Sequence, residues 1–66
     1  MSIIVDVGEE VGHILAHTMA TIFYFNLRVT DTKNGTIEVD RRYHAEQVVE
    51  YLKENGYHNA RIVEGS

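Results

Sequence analysis

The sequence predicts an α+β fold, a small two-layer sandwich of two helices on a four-stranded antiparallel sheet. Three observations carry that reading. Phe23, Phe25, Leu27 and Val29 alternate with Tyr24, Asn26, Arg28 and Thr30, the period of a strand with one buried face. Asn34-Gly35 then supplies a turn, and Ile37 and Val39 alternate with Glu38 and Asp40 on the way back. On either side of this hairpin, apolar residues recur at helical spacing, each time beside a further short apolar run.

Taken in order, the first element is a strand from Ser2 to Val7. Ile3, Ile4 and Val5 stand there in succession, a β-branched run suited to an inner strand. Gly8-Glu9-Glu10 leads into a first helix with Val11, Ile14, Leu15, Met19 and Ile22 on its inner face. Glu9, Glu10, His13, Ala16 and His17 fall on its wet face, and the two glutamates complement the helix dipole from the first turn. Gly12, Thr18 and Thr21 are weak helix formers, so a second hairpin over Val5–Ala16, giving a β-meander with one helix, is the alternative. The central hairpin occupies Ala20 to Arg41. Tyr43 to Asn55 reads as a second helix, with Ala45, Val48, Val49 and Leu52 inward and Glu46, Gln47, Glu50, Lys53 and Glu54 outward. Glu46, Glu50 and Glu54 make a like-charge column along it. Asn55-Gly56 stops the helix, with Gly56 as a left-handed cap and Tyr57 placed for the accompanying apolar contact. A last strand runs from about His58 to Glu64, Ala60 and Ile62 inward and Arg61 and Val63 outward, before Gly65 and Ser66 fray. The order β-α-β-β-α-β is the ferredoxin-like split arrangement. Right-handed crossovers put both helices on one face and give the sheet the order last, first, third, second.

The hairpin register follows from its faces. A two-residue Asn34-Gly35 loop would pair Val29 with Asp40 and throw the two apolar sets onto opposite faces. A three-residue Lys33-Asn34-Gly35 loop pairs Thr32 with Thr36, Val29 with Val39 and Arg28 with Asp40, with Gly35 left-handed. The three-residue loop is the expected one, with Phe25 and Leu27 in the core.

A chain of 66 residues reads as one domain, 1–66, near the lower limit for folding without a staple. There is no Cys, which excludes disulfides and thiolate metal sites. Six Lys and Arg against ten Asp and Glu give a formal charge of −4, the wrong sign for phosphate-driven nucleic-acid binding. The longest apolar runs are short, so neither a membrane span nor a signal peptide is expected. The expected location is cytoplasmic, in the host cell for a virus-encoded chain.

His13 and His17 stand four apart on one helix face with Glu9 and Glu10 a turn earlier, but two imidazoles without a third patterned ligand describe a solvated face better than a metal centre. Gly8 to Gly12 lies where a strand enters a helix, as phosphate loops do. Its glutamates would repel a phosphate, and neither glycine fingerprint is matched. Ser occurs only at Ser2 and Ser66, and His44 and His58 sit at element starts as surface residues, so no nucleophile, base and orienter assemble. No catalytic residue, metal or cofactor is expected.

The sheet face away from the helices would carry Ile4, Asp6, Tyr24, Asn26, Arg28, Glu38, Asp40, Arg61 and Val63. RNA-binding sheets of this topology stack bases on central-strand aromatics, and these central strands offer Ile4, Asp6, Glu38 and Asp40 instead. Mixed apolar, aromatic and charged content suits a protein contact, its plain alternative being a solvated face laced by cross-strand ion pairs. Arg41-Arg42-Tyr43 is the basic cluster, of residue types favoured at interface hot spots. The expected function is therefore a non-enzymatic interaction module. It acts as an inhibitor or regulator on a larger complex, including one that handles nucleic acid, through Asp6, Glu9, Glu10, Tyr24, Arg28, Arg41, Arg42 and Tyr43. The partner presents a basic surface, with no direct nucleic-acid or membrane contact, and the chain is further expected to form a homodimer. In size, acidity and lack of Cys the chain is similar in type to virus-encoded inhibitors, anti-CRISPR proteins and polymerase inhibitors among them. Its strand order and length also resemble ligand-binding regulatory domains of the ACT type. Gly56-Tyr57 is compatible with that family, and Gly8 or Gly12 loosely matches its glycine after the first strand. That second resemblance implies a dimer holding a metabolite.

Overall fold

The computed structural model describes residues 3–63. The expected strand start at Ser2, the strand end at Glu64 and the fraying of Gly65 and Ser66 lie outside the described residues. The elements are β1 (Ile3–Asp6), α1 (His13–Ile22), β2 (Leu27–Asp31), β3 (Thr36–Val39), α2 (Arg42–Glu54) and β4 (Arg61–Val63). The four strands form one antiparallel sheet in the order β2-β3-β1-β4, as the element order requires. This is the ferredoxin-like arrangement. The one-helix meander is overturned, because residues 13–22 are helical.

The core lies between the sheet and the helices. β1 sends Val5 into it, β3 sends Ile37 and Val39, and α2 sends Ala45, Val48 and Leu52. α2 packs over β1, β3 and β4, whereas α1 packs over β2 and buries Met19 alone. The stop of α2 is the one its sequence specifies. Gly56 is left-handed at φ +95°, its N–H donates to the Lys53 carbonyl at 3.2 Å, and the Tyr57 N–H donates to the Leu52 carbonyl at 2.9 Å. That pair of bonds is a Schellman cap.

Three local expectations are corrected. The hairpin pairs Leu27 with Val39, Arg28 with Glu38 and Val29 with Ile37, and a bulge between Val29 and Asp31 brings Asp31 opposite Thr36. The loop is thus four residues, 32–35, and not three. The shift of two keeps the faces correct but pairs Arg28 with Glu38, at 3.2 Å, in place of Asp40. Asp31 explains the longer loop. Its Oδ1 accepts the Lys33 and Asn34 N–H groups at 3.0 and 3.2 Å, and its Oδ2 accepts from Asn34 Nδ2 at 2.7 Å. The Asn34 side chain and then its backbone N–H hold the Asp31 carboxyl below its ordinary pKa.

The second correction follows from the first. With Val39 opposite Leu27, the residues before Leu27 have no partner strand, and 23–26 form an unpaired connector in which the alternation persists. Phe25 and Leu27 are half-buried at the rim of the core.

The third concerns α1. It begins at His13 with Gly12 as N-cap, so Glu9 and Glu10 precede it and no acid stands in its first turn. Ile14 points outward, 85% exposed, Ile22 is also exposed, and Ala16 is half-buried against the core. Val11 is buried as expected, but from the loop before the helix. Gly12 allows no close approach, since a Cβ there would meet nothing within 4 Å.

Candidate interaction surface

The residue that positions the 7–12 loop is Gly35. After β1, the Val7 N–H donates to the Gly35 carbonyl at 2.8 Å, and the Val11 N–H donates to the Thr32 carbonyl at 2.8 Å. The loop is thereby clamped onto the hairpin turn, with Val7 and Val11 driven into the core. Gly8 turns between them at φ +89°, its N–H donating to Asp6 Oδ1 at 2.9 Å. The Glu9 and Glu10 residues of this clamped loop are exposed. Among the described residues no ion pair involves either.

Of the remaining charged site residues, Asp6, Arg28 and Arg42 have ion partners. Asp6 lies 3.7 Å from Arg61 across the β1–β4 pair, and Arg28 bonds Glu38. Arg42 lies 3.7 Å from Glu46, one turn along α2. These pairs are the ion-pair lacing of a solvated surface, and exposed pairs of this kind contribute about 0.2–1 kcal/mol each. Arg41 is the N-cap of α2, exposed, and Tyr43 is exposed behind it. Tyr24 extends fully into solvent from the connector, at 103% relative exposure.

The strand register divides these residues between the two ends of the sheet. Asp6 pairs with Thr36 at the hairpin-turn end, where the Glu9-Glu10 loop is clamped, and Ile3 pairs with Val39 at the other. Arg41, Arg42 and Tyr43 follow Val39 at that second end, with Tyr24 in the connector that leads into Leu27. The expected contact residues therefore fall into two sets, Asp6, Glu9 and Glu10 at one end of the sheet and Tyr24, Arg41, Arg42 and Tyr43 at the other.

At the second end stands a group that sequence reasoning missed. His44, expected on the surface, is half-buried, its ring stacked on Phe25 with centroids 3.9 Å apart and planes within 6°. Its Nδ1 donates to Asp40 Oδ1 at 2.7 Å. The spacing of Asp40 and His44, four apart across a helix start, is the signal that would have found it. The hydrogen bond from His44 holds the Asp40 carboxyl below its ordinary value of 3.8, with a further contribution from the positive charge of Arg41. A depressed carboxyl stabilises the fold above its ordinary pKa, and that contribution is lost as pH falls through the folded value. His44→Ala should move the Asp40 titration upward, toward the ordinary carboxylate range, read by carboxyl ¹³C NMR. An unchanged titration would place the cause elsewhere.

Among the described residues no group of three or more His, Asp or Glu side chains converges as a metal site. His13 and His17 are exposed on α1. No described helix is long and apolar enough to cross a membrane. The fold and surface thus define a small α+β domain of split β-α-β order with a clamped acidic loop. No protein-family model matches the chain, and no curated protein or solved structure matches it either.

Proposed function

We propose that this protein is a non-enzymatic interaction module that docks the Glu9-Glu10 loop on a basic surface of a larger protein. The observation that supports this is the pairing of exposure with order. Two adjacent carboxylates without ion partners among the described residues sit on a loop fixed by the Val7–Gly35 and Val11–Thr32 hydrogen bonds. A pre-ordered loop loses little conformational entropy on binding. Unpaired carboxylates also leave a field that steers a cationic partner. A groove that ordinarily takes nucleic acid is a surface of the matching charge. The same reading makes the chain a regulator or inhibitor acting in the cytoplasm, the host's for a virus-encoded one.

The test is charge reversal. Glu9→Lys with Glu10→Lys should leave the melting temperature nearly unchanged, since exposed charges contribute little to stability. Association with a partner captured from host lysate should slow about tenfold at low salt, the difference closing as salt rises. An association rate indifferent to the reversal would sink the electrostatic reading. If Arg41→Glu or Tyr43→Ala abolishes binding instead, the contact lies at the opposite end of the sheet.

The ligand-domain reading keeps one support. Gly8 is left-handed directly after β1, where an ACT-type domain carries a glycine. That reading requires a metabolite to raise the melting temperature by mass action and to bind a dimer.

A further inference from the structure

Among the described residues the sheet ends at β4, and α2 packs on that strand. Val49 of α2 and Ile62 of β4, both half-buried, form the apolar floor of a groove of about 410 Å³ along this edge. Its rim is Glu46, Glu50 and Glu54, the like-charge column, against the single cation Lys53. Arg42 engages Glu46 at 3.7 Å, and among the described residues no ion pair involves Glu50 or Glu54. A helix surface with three carboxylates at i, i+4 and i+8 disfavours its own folding slightly, so the column is a cost that a cationic occupant would relieve.

We infer that this groove takes an extended segment of a partner protein in which apolar residues alternate with Lys or Arg, added as a fifth strand beside β4. Three features select that occupant. β4 ends the sheet order β2-β3-β1-β4, so one side of its backbone faces no neighbouring strand among the described residues. An added strand would turn every second side chain toward the helix layer, so in a Lys–apolar alternation the cationic set faces Val49 and Ile62 while the apolar set lies on the open side of the sheet beside Val63. Long cationic side chains on that face can lay their stems over the floor and bring their charges to Glu50 and Glu54. A nucleic acid is excluded by the sign of the rim. The site is on different elements from the Glu9-Glu10 loop and stands whether or not that loop docks.

The probe is a fluorescein-labelled peptide of about nine residues in which Lys and Val alternate. Anisotropy at low salt should show saturable binding, and amide hydrogen exchange in the full chain should slow at Arg61–Val63. A peptide of the same composition with its Lys and Val in separate blocks should bind about tenfold more weakly, as should the alternating peptide to Glu50→Lys/Glu54→Lys. Where that double variant fails to fold, the exchange footprint on the unaltered chain decides alone. The inference is overturned by absent or unsaturable binding, or by equal binding of the block peptide, which marks unspecific charge attraction. A footprint on residues 8–12 in place of β4, or a helical signal from the bound peptide, overturns it too. So does a chain dimer, seen by sedimentation, that protects β4 and excludes the peptide.

Discussion

Gly35→Ala is expected to destabilise the fold by about 3 kcal/mol or more, combining a left-handed backbone penalty with a steric clash. The backbone at Gly35 has φ +73°, a region that L residues enter at a cost. A Cβ there would run into the Glu9 carbonyl oxygen and press on the Val7 side chain. Neither neighbour can withdraw cheaply. The Gly35 N–H is bound to the Asp31 carbonyl at 2.9 Å and its own carbonyl to the Val7 N–H at 2.8 Å, so retreat breaks the clamp that holds Val7 and Val11 in the core. A fold of this length has about 3–10 kcal/mol in hand, so the variant should melt more than about 10 °C lower. Gly56→Ala is the control. It shares the positive φ, at +95°, but its Cβ meets nothing within 4 Å, and its cost should stay near 1–2 kcal/mol. Equal losses in the two variants would show that the Glu9 loop yields freely and that no clamp orders it.

The contrast between the two glycines also shows what was legible in the sequence. Gly56 could be read from its neighbours, because a Schellman cap is local and the Leu52–Tyr57 bond spans five residues. The inward stripe of α2 and the alternation of β2 and β3 were legible for the same reason, a period repeated against one core. Gly35 announced a turn, but not that residues 7–11 would lie against it. That contact is tertiary. It pulls Val11 into the core from a loop and moves the start of α1 past Glu9 and Glu10, against a spacing that fits one longer helix. The register failed differently. Alternation specifies which face a residue takes and is blind to a shift of two, while the bulge at Thr30 absorbs the odd residue. Of the candidate surface, residue types were legible and partners were not. Nothing in the sequence assigns Arg28 to Glu38 or Asp6 to Arg61 before the register is known.

Met19→Ala is expected to release α1 before the rest of the fold, at a cost of about 2–5 kcal/mol for a fully buried Met. The helix has little else to hold it. Ten residues are too few to be helical alone in water, and Gly12 offers no side-chain cap. Thr18 and Thr21 turn their hydroxyls back to the Ile14 and His17 carbonyls, at 2.8 and 2.9 Å, a bond that does not strengthen the helix. Leu15, Ala16 and the following Phe23 only reach the rim of the core, so Met19 is the one fully sequestered anchor. Amide exchange in residues 13–22 should accelerate far more than in β1 and β3, with part of the helical circular dichroism lost below the main melt. Ile14→Ala, at a site 85% exposed, should leave both signals intact. The opposite case is Leu52→Ala, whose side chain is also fully buried and whose helix covers β1, β3 and β4. A similar transfer and cavity cost there should appear as uniform loss of protection, because α2 cannot leave without exposing the central strand pair. If Met19→Ala melts in one step with α1 and the sheet exposed together, α1 belongs to the same cooperative unit as α2.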